Sequence, residues 1–149
     1  MGNLKVTFMQ KEIRQSWLFN QGPHEVWDYL TRPEFIELWL TKTDFRPAVG
    51  HKFHFIDKSG KIIYCEVLEV KPFTRLSYSW RYHSAKSDTL LDSTVTWTLV
   101  AKEQGTELQL QHDGFSLLED LTAHTNGWNV CLGRFEELLK QTSDASPNT

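Results

Sequence analysis

The sequence predicts an α+β domain in which a curved antiparallel sheet of about six strands wraps around one long C-terminal helix. Two observations carry this prediction. Five segments between residues 51 and 113 alternate apolar and polar side chains and are separated by short turns, as in an antiparallel meander. Residues 116–140 then place apolar side chains at helical spacing, so a long amphipathic helix should cover one face of the sheet.

Length and composition favour a single globular domain. The chain has 149 residues, of which 40% are hydrophobic and 23% are charged, and this balance is typical of one folded core. We predict a domain over residues 1–141 and a flexible polar tail over residues 142–149. With six Trp, nine Phe and four Tyr, bulky rings must fill much of the interior.

One strand and two short helices are predicted before the meander. Residues 11–19 form the first predicted strand, which ends at a turn around Gly22. Pro23 and Pro33 each suit the first turn of a helix, and apolar residues at helical spacing follow both prolines.

The meander strands should pair with their sequence neighbours because the turns between them are short. Leu108, Leu110 and His112 share one face of the last strand, whereas Glu and Gln alternate on the other face, so one face of the sheet should meet water. The polar segment 83–89 lacks periodicity and is predicted as the longest exposed loop. The predicted strands are 51–57, 62–70, 74–82, 91–101 and 106–113.

The long helix carries its own start signal and a continuous apolar stripe. Ser116 and Glu119 form a capping-box pattern, which predicts the helix start. Gly127 and Cys131 lie one turn apart on the stripe and are small, so they leave room between helix and sheet. The stripe predicted to face inward is Leu121, His124, Gly127, Trp128, Cys131, Leu132, Phe135, Leu138 and Leu139.

Charge and hydropathy argue against nucleic acid and membranes as partners. The net charge is -3 with acidic and basic residues interleaved, so no basic stripe is available to neutralise phosphates. No segment approaches the roughly 20 apolar residues of a membrane span, and the N-terminus lacks the features of a signal peptide. We therefore expect a cytoplasmic protein that neither binds nucleic acid nor inserts into a membrane.

No motif identifies a metal site, a cofactor site or a nucleophile, and we expect none of the three. Cys65 and Cys131 lie far apart in the sequence, which favours buried thiols. Glu66 and Glu69 point to opposite faces of a strand, so they are unsuited to paired acid and base work. A buried functional carboxylate at either position is one interpretation, and a partly exposed strand carboxylate is the favoured one. His112 is the candidate acid or base; the alternative is a core histidine bonded to a neighbouring hydroxyl or carbonyl.

A series of short sequence motifs resembles those of the START-like (SRPBCC) superfamily, whose members have the helix-grip fold also found in birch pollen allergen. Within that superfamily the chain is similar to the branch of activator of heat shock protein 90 ATPase homologue domains, over about residues 11–140. The resemblance depends on the order and spacing of these motifs. They are PHEVW at 23–27, the stretch from Leu30 to Leu40, DFRPAVG at 44–50, EVLEV at 66–70, RLSYSW at 75–80, GT at 105–106, HDGF at 112–115 and GW at 127–128.

The resemblance implies a cavity between the long helix and the concave sheet. The inward aromatic residues, together with His112, either line such a cavity or fill it as a core. This candidate set is Trp39, Phe45, Phe53, Phe55, Tyr78, Trp80, Trp97, His112, Phe115, Trp128 and Phe135.

Three functions stay open, because superfamily members carry hydrophobic molecules, cyclise polyketides or act as cochaperones, and fold alone does not choose among them. The first is non-enzymatic binding of a small hydrophobic or aromatic ligand. The second is a cochaperone-like module that binds a chaperone or another protein through the strand face or the loop 83–89. The third is a cyclase- or hydrolase-type enzyme that uses His112. The many inward rings and few inward polar groups favour the first.

Overall fold

The computed structural model describes residues 11–83 and 90–145, which form a curled antiparallel sheet around a long helix. The sheet contains seven strands in the order β1-β7-β6-β5-β4-β3-β2. In chain order the elements are β1 (Glu12–Phe19), α1 (Pro23–Thr31), α2 (Pro33–Trp39), β2 (Lys42–Thr43), β3 (Lys52–Ile56), β4 (Ile62–Lys71), β5 (Arg75–His83), β6 (Leu90–Lys102), β7 (Gly105–Asp113) and α3 (Leu118–Ala145).

The sheet confirms the predicted α+β helix-grip fold. Strands β2 to β7 each pair antiparallel with their sequence neighbours, and β1 joins the far edge by pairing with β7, from Glu12 opposite Asp113 to Phe19 opposite Thr106. All six predicted strands are present. The seventh strand, β2, was not predicted, because its two residues are too few to show alternation.

The two short helices begin where the prolines predict. Gly22 and Arg32 hold extended backbone conformations at the N-caps, and Pro23 and Pro33 occupy the first turns, where a missing amide proton costs nothing. The indole nitrogen of Trp39 donates a 2.8 Å hydrogen bond to the carbonyl of Tyr29, which fixes α2 against α1.

Helix α3 differs from the prediction at both ends. The amide of Leu121 donates to the carbonyl of Leu117, and the helix begins at Leu118, so its N-cap is Leu117 rather than the predicted Ser116. At the other end the helix continues to Ala145, four residues into the segment predicted as a tail. The rest of that tail and the predicted loop, apart from His83, lie outside the described residues. No described helix has the length and hydropathy to cross a membrane.

The core lies between the concave face of the sheet and the inner face of α3. Five residues of the predicted helical stripe are buried, whereas Gly127 is exposed at the edge of the helix. The buried five are Leu121, Trp128, Leu132, Phe135 and Leu139. Opposite them the inward side chains of β5, β6 and β7 alternate with exposed or half-buried ones, as a sheet with one solvated face requires.

Candidate functional site

A cavity of about 300 Å³ opens between α3 and the end of the sheet formed by β4 and β5. Its wall is built from the residues after α2, the β3–β4 turn, two strands and one helix. The wall therefore forms only when the helix packs on the sheet. The lining residues are Leu40, Thr41, Asp57, Lys61, Ile63, Trp80, Tyr82, Ala123, His124, Gly127, Trp128 and Cys131.

Two small residues of α3 and two large aromatic rings border the cavity. Trp80 and Trp128 contribute rings whose centroids lie 5.3 Å apart. Beside them a Cβ atom added to Gly127 would meet nothing within 4 Å, and Cys131 follows one turn later. The space that these two small residues are predicted to leave is therefore part of the cavity.

His124 fixes the orientation of Trp80 from the helix side. The indole nitrogen of Trp80 donates to Nε2 of His124 at 3.2 Å, so the proton of the imidazole is on Nδ1, which donates to the carbonyl of Asp120 at 2.8 Å. Burial lowers the pKa of His124, and this effect outweighs the hydrogen bond to Asp120 and the charge of Asp120, which raise it. A neutral imidazole therefore forms this part of the wall.

His112 does not line the cavity, but it forms a second chain of hydrogen bonds that includes the lining residue Trp128. Trp128 donates from its indole nitrogen to Nδ1 of His112 at 2.9 Å, so Nε2 must carry the ring proton and donate to Oγ of Ser93, also at 2.9 Å. Ser93 in turn donates to the carbonyl of Trp80. Burial, followed by the neighbouring His124, holds the pKa of His112 well below its usual value.

These bonds leave an apolar inner wall. Both indole N–H groups are hydrogen-bonded to histidines, so Trp80 and Trp128 contribute aromatic carbon rather than free donors to the wall. The polar side chains lie at the mouth. There the ammonium group of Lys61 sits 3.9 Å from the ring centroid of Tyr82, and Asp57 accepts hydrogen bonds from Ser59 and from the amide of Lys61.

The predicted site residues divide between wall and core. Only Trp80 and Trp128 line the cavity, and His112 supports them from behind. The other eight are buried and stack on one another or on α3; for example, Trp39 and Trp97 meet edge to face with centroids 5.8 Å apart. These core residues are Trp39, Phe45, Phe53, Phe55, Tyr78, Trp97, Phe115 and Phe135.

The candidate catalytic carboxylates lie away from the cavity. Glu69 forms ion pairs with Arg75 at 2.8 Å and with Lys71 at 3.5 Å, and the hydrogen bond from Arg75 lowers the pKa of its carboxyl group. Glu66 is half-buried on the same strand and is not part of the lining. Across residues 11–83 and 90–145, no three His, Cys, Asp or Glu side chains converge on a point that could hold a metal ion.

Several lining residues are absent from the predicted site set, among them His124 and Lys61. His124 belongs to the stripe predicted to face inward, but no site role was predicted for it. Its position four residues before Trp128 and three before Gly127 was the available signal, because that spacing puts it on the same helix face as the gap. Lys61 gave no signal, since a lysine after a turn is usually a solvated surface residue.

Comparison with known families decides the classification. The sequence model described as "Activator of Hsp90 ATPase homolog 1-like protein" matches residues 20–140. The chain belongs to this family. This match confirms the branch of the superfamily that the short sequence motifs predict. No curated protein matches the sequence.

Solved structures agree with membership of the Hsp90 ATPase activator homolog 1-like family. Protein MLL2253 from Mesorhizobium loti is 34% identical, with a TM-score of 0.83 over 88% of this chain and 98% of that one. CalU16 from Micromonospora echinospora is 29% identical, with a TM-score of 0.67 over 91% of this chain and 75% of that one. The Aha1 dimer from Colwellia psychrerythraea shares the fold, at 18% identity and a TM-score of 0.74 over 87% and 96%.

Proposed function

We propose that this protein binds a small hydrophobic or aromatic molecule, without transforming it, in the cavity between α3 and the sheet. The observation that carries the proposal is the cavity wall itself, in which two indole faces stand beside an open space left by Gly127. A helical glycine costs about 0.5–1 kcal/mol relative to alanine. An unfilled apolar space maintained at that cost is what a ligand pocket requires.

The volume supports a compact ligand. An apolar cavity of about 150 Å³ is known to hold benzene, so the 300 Å³ found here suits a skeleton of roughly two fused rings. Each methylene group buried contributes only about 0.8 kcal/mol. Discrimination among ligands of similar size should therefore be modest.

Binding is favoured over catalysis because the ring nitrogens of the two histidines near the cavity are all hydrogen-bonded to other protein groups. Each ring nitrogen of His112 and His124 has a hydrogen-bond partner within the described fold, and burial keeps both rings neutral. Neither offers a free nitrogen to a substrate, so the acid or base role considered for His112 has no geometric support.

The test is a pair of glycine variants on one helix. Gly127→Leu places a side chain in the cavity, whereas Gly133→Leu makes the same change where an added Cβ also meets nothing within 4 Å but the residue is outside the lining. Binding of indole, 2-naphthol and 2-naphthamide would be followed by tryptophan fluorescence and calorimetry. We expect Gly127→Leu to weaken binding at least about tenfold and Gly133→Leu to bind like the parent. Equal binding by both variants, or no binding of any probe to the parent, would refute the proposal.

A second candidate, the protein-interaction module, has one specific observation in its favour. Ile62, Tyr64 and Leu90 are exposed apolar side chains on the outer face of the sheet, where they border a groove of about 570 Å³ with Arg81. The family name points to an Hsp90-type ATPase as the partner to test. If this candidate holds, the protein stimulates the ATPase rate and Tyr64→Ala reduces the stimulation, while Gly127→Leu leaves it unchanged. An ATPase rate that the protein does not alter would exclude it.

A further inference from the structure

The mouth of the cavity carries more positive than negative charge, although the chain as a whole has a net charge of -3. An outer groove of about 920 Å³ adjoins the cavity and shares Leu40, Thr41 and Asp57 with it. Together the two linings contain four cationic and two anionic side chains. The cations are Lys42, Lys58, Lys61 and Arg134, and the anions are Glu37 and Asp57.

The cations are available to a ligand. Within residues 11–83 and 90–145, none of the four forms a salt bridge. Asp57, by contrast, is committed to its own turn, because one carboxylate oxygen accepts hydrogen bonds from the amides of Ser59 and Lys61 and from the Ser59 hydroxyl, at 2.7 to 2.9 Å. The positive charge at the mouth is therefore only partly balanced.

Lys61 is the cation that reaches the cavity itself. It lines the inner cavity, and its ammonium group lies 3.9 Å from the ring centroid of the buried Tyr82. This contact holds the charge at the boundary between the apolar wall and the polar mouth. Lys42, Lys58 and Arg134 line only the outer groove, so they act on a ligand at longer range.

We infer that the ligand is an amphipathic anion, in which a compact aromatic or hydrophobic skeleton occupies the space beside Trp80 and Trp128 and a single carboxylate pairs with Lys61. This inference rests on the proposed ligand-binding function and narrows its ligand class. A neutral ligand would leave the ammonium group of Lys61 with no carboxylate of the described residues at salt-bridge distance. A ligand carboxylate at the mouth gains a charge-assisted hydrogen bond while its rings stay in the apolar part.

The experiment compares 2-naphthoate with 2-naphthamide, which have the same skeleton and differ in charge. We expect naphthoate to bind about tenfold more tightly at low ionic strength, as a charge-assisted contact at a half-buried site allows, and the ratio to fall as salt is added. Lys61→Gln should reduce the ratio to about one, because it removes the charge that distinguishes the two probes, and Lys61→Arg should restore it. Lys71→Gln is the control for the loss of a lysine charge, because Lys71 ends strand β4 and lies outside both linings.

The outcomes separate the two proposals. Equal affinity of naphthoate and naphthamide for the parent protein would overturn the anion inference and leave hydrophobic binding standing. A preference for naphthoate that survives in Lys61→Gln would also overturn it, because the charge would then be recognised elsewhere. Binding of neither probe at millimolar concentration would overturn both.

Discussion

The indole nitrogen of Trp128 donates a 2.9 Å hydrogen bond to Nδ1 of His112 and so joins the long helix to strand β7 in the centre of the protein. This bond requires a neutral imidazole with its proton on Nε2. Because an indole nitrogen can only donate, protonation of His112 would place two donors against each other. The same logic holds for Trp80 and His124 at the cavity wall.

Stability should therefore fall as the pH drops below about 6.5. Burial lowers the pKa of both His112 and His124 in the folded state, whereas an unfolded histidine titrates near 6.5. Below that pH the unfolded chain binds more protons, and each histidine contributes a slope of up to about 1.4 kcal/mol per pH unit until its folded pKa is reached. Above pH 7 this dependence is absent. Urea unfolding from pH 5.0 to 7.5 measures the slope.

The control for this prediction is His112→Gln, which removes one titrating group from the core. The variant should be less stable by about 1–3 kcal/mol at pH 7.5, because buried hydrogen-bond partners are left poorly matched. Its slope between pH 6.5 and pH 5 should be shallower than that of the parent protein. A slope equal to the parent's would show that His112 is not held neutral by the fold.

Replacing Gly127 with alanine should stabilise the protein. An alanine methyl group at this position meets nothing within 4 Å, and alanine is favoured over glycine within a helix by about 0.5–1 kcal/mol. Gly133→Ala serves as the reference, since it gains the same helix propensity away from the cavity. Urea denaturation should give similar gains for both variants. A loss of stability only in Gly127→Ala would mean that the space beside the helix is occupied.

Alternation and helical spacing were sufficient to predict the layers of the fold, because burial on one face imposes both periods. These patterns failed where an element is too short to show a period, and where an adjacent residue takes the N-cap position of a helix. Strand β2 has two residues, and α3 begins at Leu118, so Leu117 rather than Ser116 occupies the N-cap. Such choices depend on tertiary geometry, which the local pattern does not contain.

The site was less predictable than the fold for a related reason. Alternation shows that Phe53 and Trp80 both face inward, yet Phe53 is enclosed by other rings while Trp80 borders the cavity. The difference depends on what lies opposite each ring. Gly127 was the informative residue, because a missing side chain leaves space only where no neighbouring ring fills it.

Phe135 shows what the core residues of the predicted set contribute. It is fully buried on α3, with ring centroids of Trp39 and Phe19 at 4.8 and 5.1 Å. Phe135→Ala should lower the free energy of unfolding by about 3–5 kcal/mol. Leu38→Ala, at a side chain that is 54% exposed on α2, should change it by less than about 0.5 kcal/mol. Urea denaturation distinguishes the two, and a small effect of Phe135→Ala would contradict its place in the core.

Cys131 should report ligand binding through its alkylation rate. It lines the cavity and is half-buried, whereas Cys65 is buried under the sheet. Burial raises the pKa of both thiols, so labelling by iodoacetamide should be slow at neutral pH and faster as the pH rises. Peptide mapping by mass spectrometry should find Cys131 modified first. A saturating aromatic ligand should slow that modification, and faster labelling of Cys65 would contradict the described geometry.

Gly105 should be the least replaceable glycine in the described chain. Its φ is +147°, and an added Cβ would lie 1.9 Å from the carbonyl oxygen of Phe19, the residue that ends β1. Gly60 has a φ of +89° but nothing within 4 Å of an added Cβ, so Gly60→Ala should show conformational strain alone, about 1–2 kcal/mol. Gly105→Ala must also separate β1 from β7.

We expect the cost of Gly105→Ala to exceed that of Gly60→Ala by at least about 2 kcal/mol, which places it among the exceptional single substitutions. The displaced contacts reach the helix, because the Thr106 hydroxyl donates to the carbonyl of Gln21, whose side chain donates to the carbonyl of Leu139, both at 2.7 Å. Hydrogen exchange should therefore quicken in β1 and in the last turns of α3 together. Similar stabilities for the two variants would mean that β1 can shift away from Gly105 without disturbing this chain of bonds.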